Sequence, residues 1–392
     1  MLSAMSTVED MRRGNLARFL ELVHRERALS RAQLTAATGL NRSTVAALAA
    51  ELVELGLVIE RAPDPTKRVG RPSPVVAANP DVVVLAANPE VDALTLAAVG
   101  LDGEIRVRER LETTDLPSPE TTVAQLADAV DRWARGELAG ARFVGVGLAV
   151  PGLVRAADGL VRHAPHLRWR DTPLRAMTEQ ATGLPAAVDN DATLGAIAEH
   201  RFGAGVGVDH LVYLNGGASG IGGGVIVAGM PLAGASGYAG EFGQNRPGIA
   251  SATHRRADDG VLEDEVSRAR LLAAARLTSA DEPTLAAALS GSTAVDVRDE
   301  IMRQRGILAT ALGNAVNVLN PSVVILGGFL ATLAESDPAA LVEAMQAQCM
   351  PAAAEDVEIR TAALAEDRLL IGAAEAAFAP LLTDPAGALA SA

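Results

Sequence analysis

A short polar segment near the N-terminus carries side chains that can hydrogen-bond to DNA. The segment consists of four successive residues, Asn41, Arg42, Ser43 and Thr44. They stand at the start of a run with helical apolar spacing, and the first turn of a recognition helix is the part that reaches base edges in the major groove. Arg42 can pair with a guanine or can contact a phosphate alone, and the sequence leaves both interpretations open.

The flanking residues predict the helices that would position this segment. Ser30 and Gln33 have the spacing of a capping box at a helix start. Gly39 suits the left-handed residue that ends a helix, and Asn41 can cap the next one. Apolar residues at helical spacing predict three packed helices: Leu16, Phe19, Leu20 and Val23; Leu34 and Ala37; Val45, Leu48, Ala49, Leu52 and Leu55.

A strand at 57–60 and a basic loop at 61–72 follow the helices. Lys67, Arg68 and Arg71 lie in this loop, where they suit phosphates or a narrow minor groove. The whole pattern over residues 1–74 is that of a winged helix-turn-helix domain that binds DNA. A small helical adaptor with a solvated loop is the alternative interpretation.

The charge distribution supports this division of the chain. Residues 1–74 hold eleven Lys and Arg against eight acids, a net charge of +3, whereas the other residues hold 23 basic and 40 acidic side chains, a net charge of −17. Because phosphates repel the acidic part, the N-terminal domain is the expected DNA-contacting surface.

Length and composition limit the remaining possibilities. The 392 residues are 49% hydrophobic, enough for two or three domains with sizeable cores. Cys349 is the only cysteine, which excludes an internal disulfide and a thiolate zinc cluster. The sequence shows no signal core and no run of apolar residues long enough to span a bilayer, so we expect a cytoplasmic protein with no membrane contact.

From about residue 81 the pattern alternates between strands and helices. Three strands, a helix and a strand are predicted in turn at 82–89, 93–103, 104–112, 122–138 and 143–152. A strand at 186–189, a helix at 191–203, a glycine-rich hairpin at 210–229, a helix at about 302–318 and a strand at 320–331 follow. Together these elements predict an α/β protein with the two-lobed, sugar kinase-like fold of actin-like ATPases.

Several motifs occur here in an order that resembles the ROK family (repressors, open reading frames and kinases). They are Pro151-Gly152, the Asp-Asn-Asp of 189–191, the glycine loop of 217–224, Gly-Tyr-Ala-Gly-Glu-Phe-Gly at 237–243 and Asn-Pro-Ser-Val-Val-Ile-Leu-Gly-Gly at 320–328. Together with the winged helix, this resemblance covers nearly the whole chain. It implies a first lobe at 75–190 and a second at 191–392, with the last helix returning to the first lobe.

The resemblance also implies a sugar site. Asp191 stands at the position of the family's general base, although it can instead cap the helix that follows it. Asn190 has the donor and acceptor that suit vicinal hydroxyls. Glu241 and Glu263 match two positions that hold sugar hydroxyls, with solvated surface acids as the alternative. Gly152, Gln244 and either His166 or Trp169 are further candidates.

Two departures from the family pattern bear on the mechanism. The first is the hairpin turn that holds ATP phosphates in family kinases, which is Asn88-Pro89-Glu90-Val91-Asp92 here. It lacks glycine, its proline removes an amide donor, and its two carboxylates would repel a triphosphate. The glycine loop of 216–224 survives, either as part of a phosphate cradle or as a hairpin that needs unusual dihedral angles. We therefore predict no kinase activity, no catalytic residue and no cofactor.

The second departure concerns the structural zinc of many family members. Their histidine and cysteine positions are occupied here by Gln244, His254, Arg256 and Val261. One imidazole cannot form a tetrahedral site, so no metal is expected. In zinc-bearing relatives the metal braces the loop that presents the sugar ligands. Its loss leaves open how rigid residues 244–262 are and whether Gln244 takes over a contact to a sugar hydroxyl.

The sequence therefore predicts a transcriptional regulator, most simply a repressor of carbohydrate metabolism. Its expected partners are operator DNA, a sugar or sugar derivative, and further copies of itself in a homodimer or larger homo-oligomer. We expect the sugar to close the cleft and to change the placement of two winged helices relative to their half-sites. A sugar kinase with an appended DNA module and a ligand-free DNA-binding scaffold are the alternatives.

Overall fold

A computed structural model describes residues 2–62, 73–217, 220–249, 251–257 and 260–390. Two compact units make up the chain. The first comprises residues 1–150, 158–189 and 373–392, and the second comprises residues 151–157 and 190–372. In the described ranges, no helix combines the length and the apolar character that a membrane span requires.

The N-terminal part of the first unit is a winged helix. Its elements are α1 (Leu2–Glu26), β1 (Ala28–Ser30), α2 (Arg31–Thr38), α3 (Arg42–Glu54), β2 (Val58–Arg61) and β3 (Val75–Ala78). Strand β3 pairs antiparallel with both β1 and β2, which places β3 at the centre of a three-stranded sheet. The sequence patterns do not predict β1 or β3, because each is short and depends on its partners for hydrogen bonds.

The predicted helix caps are confirmed. The Ser30 hydroxyl accepts a hydrogen bond from the Gln33 amide at 3.2 Å, and the Gln33 side chain accepts one from the Ser30 amide at 2.9 Å. Gly39 ends α2 with a φ of 71°, in the left-handed region. Asn41 Oδ1 accepts from the Thr44 amide at 2.9 Å and begins α3. These local bonds set the turn between the two helices.

The α/β part of the chain begins with elements that build one five-stranded sheet. They are β4 (Val82–Pro89), β5 (Ala93–Gly100), β6 (Ile105–Glu112), α4 (Pro119–Arg135), β7 (Arg142–Val150), β8 (Leu153–Arg155), β9 (Leu160–Ala164), β10 (Trp169–Thr172), α5 (Leu174–Thr182) and β11 (Ala186–Asn190). The sheet has the order β11-β7-β4-β5-β6, with β4 antiparallel to β5 and parallel to β7. Strand β4 is buried along its whole length.

The second unit contains a matching sheet. The next elements are α6 (Asp191–Phe202), β12 (Leu211–Gly216), β13 (Ile221–Val227), β14 (Met230–Pro231), α7 (Leu262–Glu265), α8 (Arg268–Ala274), α9 (Glu282–Ser290), α10 (Val295–Leu319), β15 (Val323–Gly328), α11 (Phe329–Glu335), α12 (Pro338–Gln346), α13 (Pro351–Ala354), β16 (Glu358–Thr361), α14 (Arg368–Thr383) and α15 (Pro385–Ala390). The sheet order is β14-β13-β12-β15-β16. In both sheets the first three strands are antiparallel and the fourth runs parallel to the first. The predicted duplicated, actin-like layout is confirmed.

A buried polar contact fastens the winged helix to the rest of the first unit. The side chain of His24, near the end of α1, is fully buried. Its Nε2 lies 2.9 Å from Glu375 Oε1 of α14, and its Nδ1 faces the Leu101 carbonyl oxygen. Because a carbonyl only accepts, Nδ1 carries a proton. The ring also packs edge-on against Phe378, with centroids 5.8 Å apart. Helix α1 is therefore anchored by both polar and aromatic contacts.

We predict that His24→Leu lowers the free energy of unfolding of the first unit by about 2 kcal/mol, because Glu375 loses a buried partner. His24→Leu together with Glu375→Leu should recover part of this loss, since both polar groups are then removed. Thermal unfolding of the full chain checks this. His163→Leu, at an exposed position of β9, is the control. An equal loss of unfolding free energy in His24→Leu and His163→Leu would contradict the prediction.

Candidate functional site

The first candidate site is the exposed start of α3. Arg42 is the first residue of the helix and is exposed, as are Asn41 and Ser43, while Thr44 is half-buried. Asn41 uses its side-chain oxygen for the cap and for the Ser43 hydroxyl at 2.7 Å. Within the described ranges Arg42 has no ion-pair partner, whereas Arg31 on α2 pairs with Glu60 at 2.6 Å. The guanidinium of Arg42 is thus available to an external anion or base.

The structure describes only the residues on either side of the predicted basic loop. Strands β2 and β3 are its two neighbours, joined in register from Val58 opposite Ala78 to Arg61 opposite Val75. Lys67, Arg68 and Arg71 lie outside the described residues. The two strands that precede and follow it in the sequence are adjacent and antiparallel.

The second candidate site is built around the start of α6 in the second unit. Asn190, and not Asp191, is the N-cap of this helix: its Oδ1 accepts from the amides of Ala192 and Thr193 at 2.9 and 3.0 Å. Its Nδ2 donates to the Gly152 carbonyl oxygen at 3.0 Å. Asn190 and Gly152 therefore hold each other in place, and Asp191 follows as the first helical residue.

Asp191 has an unusual electrostatic environment. Burial raises the pKa of its carboxyl to about 6, and the nearby charge of Glu241 acts in the same direction. The Ala192 amide, which donates to Asp191 Oδ1 at 2.8 Å, and the positive charge of Arg368 oppose this rise. Arg368 is the buried first residue of α14, and sequence reasoning did not select it because it lies 177 positions from Asp191 along the chain. A carboxyl with this pKa can change protonation near neutral pH.

Glu241 interacts electrostatically with Asp191, and Glu263 interacts with Glu241. Burial and the charge of Glu263 both raise the pKa of Glu241. Glu263 accepts hydrogen bonds from the Gln244 side chain at 2.6 Å and from the Ile221 amide at 3.1 Å. Gln244 therefore orients Glu263 directly. Together, Asp191, Glu241 and Glu263 form a group of half-buried carboxylates in one unit, a suitable set of acceptors for hydroxyl groups.

Glycines make room for this arrangement. A Cβ at Gly220 would lie 2.3 Å from Glu263 Oε2, and one at Gly243 would lie 2.2 Å from the Ile221 carbonyl oxygen. Gly220 also has a φ of 137°, which side-chain-bearing residues rarely adopt. Gly222 and Gly224 contact Ala192 and Ala196 of α6 in the same way. Much of the glycine run therefore serves the close packing of β13 against its neighbours.

The hairpin turn between β4 and β5 differs from a phosphate cradle. Pro89 has no amide hydrogen, and the Glu90 amide donates to the Ala93 carbonyl oxygen at 2.7 Å. Arg110 of β6 forms ion pairs with both Glu90 and Asp92, at 3.2 Å in the case of Asp92. These pairs offset much of the negative charge that the sequence places here. The turn is closed by its own contacts, and two of its backbone groups cannot donate to an external phosphate.

The residues at the family's zinc positions do not fit a metal. Gln244 bonds to Glu263, His254 is exposed, and the Arg256 amide donates to Glu265. Val261 offers no ligand atom. Across the described part of the chain, no group of three His, Cys, Asp or Glu side chains is arranged to hold a metal ion.

Two further candidates belong to the first unit. His166 is exposed, and Trp169 is buried with its indole nitrogen donating to the Pro117 carbonyl oxygen at 2.9 Å. All the other candidate sugar residues belong to the second unit. The structure thus assembles Gly152, Asn190, Asp191, Glu241, Gln244 and Glu263 within one unit.

The sequence and the fold of this chain are similar to those of several known proteins. A xylose repressor from Caldicellulosiruptor bescii is 26% identical over 385 residues, which cover 93% of this chain and 96% of the repressor. A glucokinase from Halalkalibacterium halodurans is 30% identical over 300 residues, 71% of this chain and 90% of the kinase. The crystal structure of a ROK family transcriptional regulator, a homologue of the E. coli MLC protein, has a TM-score of 0.76 at 22% identity and covers 95% of this chain and 97% of that one. Residues 91–379 match the ROK family, and the chain therefore belongs to the ROK family.

Proposed function

We propose that this protein is a DNA-binding transcriptional repressor whose affinity for its operator is controlled by an aldose sugar. The winged helix binds DNA through the exposed start of α3 and through the basic residues Lys67, Arg68 and Arg71. The sugar binds in the second unit at the carboxylates of Asp191, Glu241 and Glu263. The observation that carries the proposal is the presence of both sites in one chain.

The extent of the similarities supports a repressor more than a kinase. The similarity to the xylose repressor extends over 93% of this chain, whereas the similarity to the glucokinase covers 71%. A DNA-binding domain with an unpaired, exposed Arg42 at a helix start has no role in sugar phosphorylation. The names of these relatives make D-xylose and D-glucose the first sugars to test.

The turn between β4 and β5 argues against phosphoryl transfer. A kinase holds ATP phosphates with backbone amides and cations that it presents to the transferred group. Here Pro89 and Glu90 have no amide available, and Arg110 is engaged with Glu90 and Asp92. Asp191 keeps a carboxylate at the position of a general base, but the turn between β4 and β5 lacks two backbone donors that a phosphate could use. Its role in this proposal is to accept a sugar hydroxyl.

Control of DNA binding follows from ordinary linkage. A sugar that binds one conformation of the chain more tightly shifts the population toward it, and the DNA affinity changes by the same coupling free energy. If the protein acts as a homodimer, a modest change in the placement of two winged helices is sufficient, because half-sites lie about one helical turn apart.

We predict that Arg42→Ala weakens binding to the DNA upstream of the protein's own gene by at least about tenfold, in line with the value of one good base contact. Gel-shift titrations at several salt concentrations measure this. Loss of discrimination between operator and random DNA indicates a base contact, and a uniform loss with a lower salt slope indicates a phosphate contact. Arg25→Ala, at an exposed position on α1, is the control and should have little effect on the DNA affinity. A wild-type DNA affinity in Arg42→Ala would contradict the assignment of α3 as the recognition helix.

The sugar affinity should depend on pH. An ionised carboxylate accepts hydroxyl hydrogen bonds more strongly than the protonated acid does, and the pKa of Asp191 is raised to about 6. Affinity should therefore be full well above pH 6 and should fall as the pH drops through 6, by up to about tenfold per unit. Titration calorimetry with D-xylose and D-glucose between pH 5 and 8 measures the profile.

Asp191→Asn is the matched variant for this profile. It should bind more weakly at pH 8 and lose the part of the pH dependence that centres near 6. Equal wild-type affinity at pH 5 and pH 8 would be inconsistent with an ionised Asp191 in the site. Absence of binding for every sugar in a wider panel would favour the DNA-binding scaffold instead.

Kinase activity is the remaining alternative, and it has a direct test. In an assay that couples ADP release to a chromogenic reaction, the wild-type protein should turn over neither D-xylose nor D-glucose above the rate of Asp191→Asn. This result is expected because the turn at 89–92 offers too few phosphate donors. Turnover that Asp191→Asn abolishes would establish a sugar kinase with an appended DNA-binding domain.

A further inference from the structure

A buried cluster of charged and polar side chains lies beside the sugar site, and none of the roles described above uses it. It consists of Arg303, Glu300 and Gln304 of α10 and Glu265 of α7, here called the Arg303 network. The side chains of Arg303 and Glu265 are 3% and 1% exposed. Charges that are removed from water in this way lose hydration free energy, and they are stable in a core only when every charged group is paired.

The guanidinium of Arg303 uses all five of its N–H groups. Nη1 donates to Glu265 Oε2 and to the His254 carbonyl oxygen, each at 2.9 Å. Nη2 donates to the Glu265 carbonyl oxygen and to Glu300 Oε1, each at 2.7 Å. Nε donates to Glu300 Oε2 at 3.0 Å. A guanidinium has five donors in a fixed plane, and a lysine with three donors cannot reproduce this set.

The two carboxylates of the network are fully engaged as well. Burial by itself would raise the pKa of Glu265, but the amides of Arg256 and Ala257 and the Arg303 guanidinium outweigh it and lower the pKa. The two amides donate at 2.9 and 3.0 Å. Gln304 forms two hydrogen bonds with the backbone of Ser267. Its Oε1 accepts from the Ser267 amide at 3.0 Å, and its Nε2 donates to the Ser267 carbonyl oxygen at 3.1 Å.

These bonds hold one segment of the chain at several points. His254, Arg256 and Ala257 lie at its start, and Glu265 and Ser267 lie at its end. Glu263, a candidate sugar ligand, stands between them, two residues before Glu265. The segment of 254–267 also includes the three positions, 254, 256 and 261, that match the cysteine positions of zinc-bearing relatives.

We propose that Arg303 is a positioning residue for the sugar site and that the Arg303 network braces residues 254–257 and 260–267 without a metal ion. The network orders the backbone on both sides of Glu263, and Gln244 then orients the Glu263 carboxylate from the other side. The resemblance implies that zinc-bearing relatives brace this loop with a metal ion held by side chains at positions 244, 254, 256 and 261. This chain braces it from α10, with a guanidinium that reaches into the loop.

The part of this inference that concerns the sugar rests on the proposed function, whereas the brace itself does not. The test therefore reads them separately in the full-length protein. Hydrogen–deuterium exchange measures the ordering of the 254–267 backbone, and titration with D-xylose and D-glucose measures the site. Arg303→Met and Arg303→Lys remove the five-donor set, and Arg305→Met, two residues away on α10 with a partly exposed ion pair to Asp337 at 3.6 Å, is the control.

In the wild-type protein we expect slow exchange in peptides that contain the Arg256, Ala257 and Ser267 amides, unaltered by EDTA or 1,10-phenanthroline. Exchange in these peptides should be at least tenfold faster in both Arg303 variants and unaltered in Arg305→Met. Peptides from β12 and β15 should keep their wild-type rates in all variants, which separates local loosening from general unfolding. If Arg303→Met fails to fold, Glu265→Gln provides the same comparison with a smaller perturbation.

The sugar titration adds a second readout. Whichever sugar binds the wild-type protein should bind Arg303→Met at least tenfold more weakly, while the operator affinity of the sugar-free variant remains unchanged. Wild-type exchange at 254–267 that rises on chelation, or wild-type rates in both Arg303 variants, would overturn the brace. If no sugar binds the wild-type protein, the proposed function fails, and the exchange data still decide the brace.

Discussion

The burial of neighbouring carboxylates is the constraint on which the candidate sugar site depends. Asp191, Glu241 and Glu263 are half-buried. Burial raises the pKa of Asp191 and of Glu241, and the charge of a neighbouring carboxylate adds to each rise, Glu241 for Asp191 and Glu263 for Glu241. Negative charges at short range in a partly buried site oppose folding unless fixed donors compensate them. The Ala192 amide, the Ile221 amide, the Gln244 side chain and the charge of Arg368 provide that compensation.

This constraint also explains why the surrounding chain is so dense in glycine. Glu263 reaches the Ile221 amide only because residues 220 and 243 have no Cβ, and α6 approaches β13 closely enough to present Asp191 because Gly222 and Gly224 have none. A glycine run that resembles a phosphate loop is thus required here for the contact between backbone elements.

Side-chain contacts, and not only the order of the chain, join the winged helix to the rest of the first unit. Helix α1 places His24 against Glu375 of α14, and Gly147 of β7 admits α14 so closely that a Cβ there would lie 1.9 Å from the Ala373 carbonyl oxygen. Helix α14 itself begins in the second unit, where Arg368 interacts with Asp191, and continues into the first. The same helix therefore carries both Arg368, which interacts with Asp191, and Glu375, which contacts His24.

Much of this architecture can be predicted from the sequence because it depends on local physics. The caps at Ser30, Gly39 and Asn41 follow from side chains and dihedral angles within a few residues of one another, and the strand and helix periods depend on short-range patterns of burial. The order of the motifs was sufficient to predict the duplicated sheets. The sequence also indicated that the turn at 89–92 had lost its phosphate donors.

Only the tertiary structure decided how the distant charges are paired. Arg110 meets Glu90 and Asp92 across a sheet, which reduces the repulsion that the sequence implied, and Gln244 bonds to Glu263. Arg303 and Glu265 lie 38 positions apart, and no sequence pattern links them. They form a buried ion pair because α10 packs against α7. The energy of a charge depends on its surroundings in three dimensions, and a one-dimensional pattern does not contain them.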